Sequence, residues 1–238
     1  MALGVNYEAI VLWRRKLKTY SVITFLTRQK GIIRCSVPHK RLQGMRSTGY
    51  LQPFSAVIIT VEQQGEYYNL QQIDGKYIIR SIETDLNSIC YAAFAGELIS
   101  KLFPMEERDP SLFSLVYRFS QLVRTKSVPL AVIILGWQLM SKAGFVPSAA
   151  DYGRENGLDR FLREFRGSTG FSLSRGAIEG LGQILAYSWS TTEQQAALQL
   201  QKPVWLELER SLFAYATMQL GEELSSLTFL HTMNGKAL

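Results

Sequence analysis

Near residue 80 the apolar residues of this chain change their spacing from alternation to a helical repeat, which limits what can fold on either side. Before it lie five short runs rich in β-branched and aromatic residues, at 9–14, 22–28, 32–37, 55–62 and 67–73. Arg28-Gln29-Lys30-Gly31 spells a hairpin with Gly31 at positive φ, and Gln64-Gly65-Glu66 spells a second. In the third run, alternation puts Ile33, Cys35 and Val37 on one face and Ile32, Arg34 and Ser36 on the other, so Arg34 points outward. The connection 38–52 is long, basic and glycine-containing, and reads as a loop without structure of its own, a kind of segment that is often functional. Five strands make a small closed barrel, and a five-stranded Greek-key barrel is the OB-fold.

Beyond residue 80, Thr84 is placed as the N-cap of a helix whose Leu86, Ile89, Cys90, Ala93, Leu98 and Leu102 share a stripe and which Pro104 closes. Asp109-Pro110 reads as an N-cap followed by proline at the first helical position. The helix it opens has Leu112, Leu115, Val116, Phe119, Leu122 and Val123 on its buried side. The apolar run 128–140 is broken by Pro129, Gly136 and Gln138 and falls short of the ~20 residues that span a bilayer. It reads as a buried helix over 129–143, ended by Gly144 with Pro147 beyond. Further helices are expected over 159–166, 174–188, 192–201 and 203–220, the last closed by Gly221. The expected fold is α+β, with an OB-fold barrel in residues 1–80 and an all-helical domain in residues 81–238.

Charge separates the same two regions. Residues 1–80 hold 12 Lys and Arg against 4 Asp and Glu, whereas residues 81–238 hold 14 against 16. The first 50 residues carry Arg14, Arg15, Lys16, Lys18, Arg28, Lys30, Arg34, Lys40, Arg41 and Arg46 with the single acid Glu8, the footprint of a polyanion binder. On an OB-fold those bases would follow phosphates, with Lys40, Arg41, Arg46 and Arg34 at the centre, while aromatic side chains stack on bases. Trp13, Tyr20, Phe25, Tyr50, Tyr67 and Tyr68 are the aromatic candidates. Tyr20 and Tyr50, beside loops and among bases, are the two taken into the DNA-binding set.

A hydrophobic fraction of 47% excludes a disordered tail. Two cysteines, Cys35 and Cys90, exclude a disulfide-stapled scaffold and predict a reducing compartment, the cytoplasm. No positive n-region opens the chain, and the apolar stretch 9–13 is too short for a signal peptide. Catalytic patterns are sparse: His39 and His231 have no neighbouring carboxylate to orient them as bases. Cys35 and His39 have metal-like spacing, yet Cys35 falls on the inward face. Gly44-Met45-Arg46-Ser47-Thr48-Gly49 has a phosphate-loop outline, but Tyr50 stands where lysine is required. No catalytic residue, metal or cofactor is assigned.

Several short motifs, in order, resemble the RecO family of bacterial recombination mediators. They are Glu8-Ala9-Ile10-Val11-Leu12, Phe25-Leu26-Thr27 with Gly31, and Leu51-Gln52-Pro53-Phe54 reached through a basic loop with Arg46 and Ser47. Tyr91-Ala92, Glu97-Leu98, Leu112-Phe113, Gly144-Phe145-Val146-Pro147 and Leu227-Thr228-Phe229-Leu230 continue the series through nearly the whole chain. The resemblance implies an OB-fold DNA-binding domain followed by a helical domain, annealing and RecA-loading activity without chemical turnover, and no membrane association. It implies as partners single- and double-stranded DNA, RecR and the acidic tail of single-strand-binding protein. Two alternatives stay open: an OB-fold single-strand or RNA-binding adaptor without annealing, and a hydrolase using Ser47 or His39.

Many relatives carry a four-cysteine zinc site after the Gly-x-x-Pro segment. Here Tyr152 and Glu155 stand where the first Cys-x-x-Cys pair would be, so 149–171 is expected to hold itself through Leu158, Phe161, Leu162 and Phe165. Structural zinc needs four ligands, and the chain's two Cys and two His are scattered. Elemental analysis of untagged protein is expected to find no stoichiometric zinc, and chelators to leave its melting unchanged. About one zinc per chain, or chelator-induced unfolding, contradicts this.

Overall fold

The computed structural model describes residues 4–45, 48–65, 67–77, 82, 85–123, 127–152, 155–189 and 198–233. Five strands, β1 (Val5–Lys16), β2 (Tyr20–Thr27), β3 (Gly31–Pro38), β4 (Ala56–Gln64) and β5 (Tyr67–Tyr77), close a barrel in the order β1-β2-β3-β5-β4. All pairs are antiparallel except β3 with β5, which closes the barrel in parallel. This is the OB-fold expected from the runs before residue 80. Gly31 and Gly65 turn their hairpins at φ 71° and 62°.

The connection between β3 and β4 differs from the expected unstructured loop. It contains α1 (His39–Gly44) and a 3-10 turn, Thr48–Tyr50, while Arg46 and Ser47 lie outside the described residues. Pro38 opens α1, Leu42 anchors it in the barrel core, and the His39 amide donates to the Thr19 carbonyl, so the segment is packed down.

The strands are apolar on two faces for different reasons. Ala9, Val11, Phe25, Ile33, Cys35 and Val37 fill the barrel, whereas Ile10, Leu12, Leu26 and Ile32 on the outer face join the core of the helical region. A bulge between Val11 and Trp13 turns both Leu12 and Trp13 toward the helices. The Val11 carbonyl accepts from the Phe54 amide at 2.6 Å, and the Val11 amide donates to the Ser55 carbonyl at 3.0 Å. Phe54 is held at φ 62°, a conformation that costs a bulky residue about 1–3 kcal/mol. Its ring is fully buried, edge-on to Phe119 at 4.9 Å. This explains the Leu51-Gln52-Pro53-Phe54 motif: Leu51 enters the barrel core and Phe54 the helical core.

The helical region is built from α2 (Leu86–Leu102), α3 (Pro110–Leu122), α4 (Val128–Lys142), α5 (Ala149–Tyr152), α6 (Glu155–Thr169), α7 (Arg175–Ala186), α8 (Lys202–Leu220) and α9 (Ser225–Met233). α4 is the central helix, buried nearly all round between α2, α3, α7 and α8. α2 lies between it and β1. A Cβ on Gly96 would stand 2.6 Å from the Leu12 carbonyl oxygen, so only glycine lets helix and strand approach this closely. The Trp13 indole N–H then reaches the Ser100 hydroxyl at 3.1 Å.

Thr84, the expected cap of α2, lies outside the described residues; Asp85 caps it, accepting from the Ser88 amide at 2.8 Å. Leu86 and Ile89 are exposed, and the buried side runs instead through Cys90, Tyr91, Phe94, Ala95, Leu98 and Ile99. α2 packs on α4, α9 and β1, so its buried arc is wider than one stripe and rotated from the spacing-based one. Asp109 caps α3 as expected. Hydrogen bonds from Lys142, the Leu112 amide and Ser111 outweigh partial burial and hold its carboxyl down at about 2. The helix expected at 192–201 lies outside the described residues up to 197, and 198–201 is not helical.

In the zinc-site region, Tyr152 is buried and donates to the Ile178 carbonyl at 2.7 Å; the Glu155 side chain lies outside the described residues. Phe161 and Phe165 pack on Tyr215 at 5.8 and 5.2 Å, and Phe171 closes on Phe165 at 5.4 Å. An aromatic cluster thus ties α6 to α8.

Phe54 therefore fastens barrel to helices together with Ile10, Leu12, Leu26 and Ile32. Phe54→Ala should lower the unfolding free energy in urea by about 3–5 kcal/mol, the cost of emptying a buried phenyl site. A loss under about 1 kcal/mol contradicts this reading of the joint.

Candidate nucleic-acid interface

The outward residues of the barrel form a row across four strands. Arg15 stands opposite Val22, Val22 opposite Ser36, and Ser36 beside Asn69, with the Ser36 hydroxyl 3.1 Å from Asn69 Oδ1. One cleft of about 540 Å³ lies over β2, β3 and β5, lined by Tyr20, Arg34, Pro38 and Tyr67 among others. A second, of about 810 Å³, lies between the barrel and α2 and α9, and includes Trp13, Arg14, Arg15 and Phe229. Both include Val22 and Arg34, so they form one groove.

The ten basic residues separate into two groups. Arg14, Arg15 and Arg34 line the groove, Arg14 bonded to the Ser21 hydroxyl. Lys16 and Lys18 are exposed where β1 turns into β2, beside Tyr20. Lys40 and Arg41 are exposed on α1, which starts at the groove residue Pro38; Arg41 is bonded to Gln71 of β5. Among the described residues, Arg15, Lys16, Lys18, Arg34 and Lys40 take part in no ion pair.

Arg28 and Lys30 sit in the turn at the opposite end of the β2–β3 hairpin and are engaged. Arg28 pairs with Glu8 and lies 4.5 Å from the Phe113 ring centre, and Lys76 takes the other Glu8 oxygen at 2.7 Å. Burial pushes the Glu8 carboxyl up, but the bonds from Lys76 and Arg28 prevail and hold it below its ordinary value. Lys30 lies over Tyr68 and pairs with Glu106 at 3.1 Å, and these two neighbours raise the pKa of its ammonium. Both cations tie the barrel to the segment around α3. Arg46 lies outside the described residues.

The aromatic residues also sort differently. Phe25 and Tyr68 are core residues, and Tyr50 is half-buried, its ring lying where a Cβ on Gly75 would stand. Tyr20 remains 40% exposed in the groove. Tyr67, left out of the chosen set, is 75% exposed and lines the same cleft. Alternation could have found it, because Tyr68 points inward and its predecessor must point out.

In the groove, Glu97 is the carboxylate facing the arginines, and it is occupied. Its oxygens accept from the Ser225 and Ser226 amides at 3.1 and 2.9 Å, which caps α9. The Cys35 thiol is inside the barrel, pushed up to about 12 by burial, which unsuits it as a thiolate ligand or nucleophile. Among the described residues no cluster of three His, Cys, Asp or Glu could hold a metal, and no helix is long and apolar enough to cross a membrane.

Fold and groove define an OB-fold barrel fused through its outer face to a helical domain. Residues 1–78 match the family described as "Recombination protein O N terminal", and residues 83–228 match "Recombination protein O C terminal". The chain belongs to the RecO family of DNA repair proteins. It is similar to the DNA repair protein RecO of Symbiobacterium thermophilum, at 23% identity over 96% of this chain and 97% of the relative. It is also similar to those of Alkaliphilus metalliredigens and Oceanobacillus iheyensis, each at 25% identity over 59% of the relative's length and about three-fifths of this chain (60% and 62%).

The two groups of cations differ measurably without any ligand. Arg28→Ala should lower stability by about 1 kcal/mol through the lost ion pair and ring contact. Arg15→Ala and Arg34→Ala should stay within about 0.5 kcal/mol of the parent. Equal losses at all three positions in thermal melts contradict the grouping.

Proposed function

We propose that this protein binds single- and double-stranded DNA across its barrel face, anneals complementary strands, and helps load the RecA recombinase onto strands coated by single-strand-binding protein. The observation that carries the reading is a groove on one face of an OB-fold that brings Arg15 and Arg34, which form no ion pair among the described residues, together with Tyr20 and Tyr67. Phosphates release condensed counterions to such cations, and exposed rings stack on bases regardless of sequence. Annealing follows from the same charge, because two polyanions approach only when their repulsion is screened. Lys40, Arg41 and Arg46 remain in the proposed contact set; Arg28 and Lys30 contribute to the positive field while serving the barrel–helix joint. RecR and the acidic tail of single-strand-binding protein are proposed partners on the strength of family membership.

A combined Arg15→Ala, Arg34→Ala, Lys40→Ala variant should fold normally and weaken all single-stranded oligonucleotides alike. Each lost contact should reduce the slope of log K against log[salt] by about 0.7, roughly two units in total. Annealing of complementary oligonucleotides should fall in parallel. Unchanged affinity and slope overturn the site. Tight binding by the parent protein that slows annealing favours the alternative, an adaptor that only coats single strands.

A further inference from the structure

α9 has one side chain that its amphipathic pattern does not explain. Leu224, Leu227 and Leu230 are buried against the helical core, as the helical repeat requires. Phe229 lies on the other face, where a polar residue would serve, and is 50% exposed. It is not isolated. It lines the same cleft as the apolar Trp13, Val22 and Ala93 and the cations Arg14, Arg15 and Arg34. The position of α9 there is set by Glu97 of α2, which holds the helix start through the Ser225 and Ser226 amides and the Ser226 hydroxyl.

We infer that the nucleic-acid groove continues from the barrel onto the helical domain, and that Phe229 stacks on an unpaired base of a strand whose phosphates follow Arg15 and Arg34. The inference rests on the nucleic-acid reading of the barrel face and extends it to a second structural region. Three features favour a single strand. The cleft beside α9 is continuous with the barrel groove through Val22 and Arg34. Its arginines are spread across the sheet, Arg14 and Arg15 on β1 and Arg34 on β3 with β2 between them, rather than gathered at one point, which suits a chain of phosphates. A ring offered to solvent finds its complement in an unpaired base, whereas a duplex keeps its base faces stacked.

The test uses the full chain and a fluorescein-labelled oligothymidylate of about 16 nucleotides, long enough to cross both clefts. Phe229→Ala should weaken binding roughly 5- to 150-fold, the range for one lost stacking contact, while leaving the salt slope unchanged. Phe229→Trp should retain affinity. Phe229→Leu keeps the apolar bulk and guards against a folding defect; it should lose affinity as Phe229→Ala does, with an unaltered melting temperature. Parental affinity in both the Ala and Leu variants overturns the inference, and if Arg15→Ala and Arg34→Ala still weaken binding, the barrel reading stands alone. Absence of oligonucleotide binding by the parent protein overturns both. Loss of binding to a labelled peptide of Asp and Phe residues in Phe229→Ala, with oligonucleotide affinity kept, reassigns the cleft to an acidic partner and also overturns it.

Discussion

The structure depends on one turn. Phe54 is held in the left-handed region because its amide and the following carbonyl are both bonded to Val11, at the point where β1 bulges. The backbone strain persists because burial of the ring against Phe119 outweighs it. The same bulge sends Leu12 and Trp13 to the helices, and Gly96 lets α2 settle against the Leu12 carbonyl. The outer barrel face and the helices therefore share one core while the barrel interior keeps its own, and that outer face has two fates: part is sealed by α2, and the remainder stays open as the groove.

That division organises the charges. Four acids near the joint are committed to cations or helix ends: Glu8 to Arg28 and Lys76, Glu106 to Lys30, Glu97 to the start of α9 and Glu222 to Lys101. Arg15, Lys16, Lys18, Arg34 and Lys40 have no such partners among the described residues, so positive charge is left over the groove although the helical region is slightly acidic overall. The positions of these acids, rather than the net charge of the chain, decide which bases remain available.

The fold was legible wherever local rules govern. Five strands follow from alternation, Asp109-Pro110 from capping, and Gly144 and Gly221 from helix ends, where both adopt positive φ. Reading failed where a distant partner decides. Leu86 and Ile89 lie off the buried arc because α2 packs on β1, α4 and α9 at once, and the turn around Tyr50 is organised by β5 across the barrel. For the candidate site, composition marks the basic half but does not separate Arg28 and Lys30 from the unpaired bases, since their partners Phe113 and Glu106 are about 80 residues away in the chain. Phe229 carried no signal of its own: an aromatic beside Leu227 and Leu230 reads as core until the helix is seen to turn it outward.

The most direct test is residue-resolved chemical footprinting of lysines and arginines by mass spectrometry, with and without a saturating single-stranded oligonucleotide. The account predicts that Arg15, Lys16, Lys18 and Arg34 become protected, while the reactivity of Arg28 and Lys30 stays unchanged. Protection confined to Arg28 and Lys30, or spread evenly over all the bases, would contradict it.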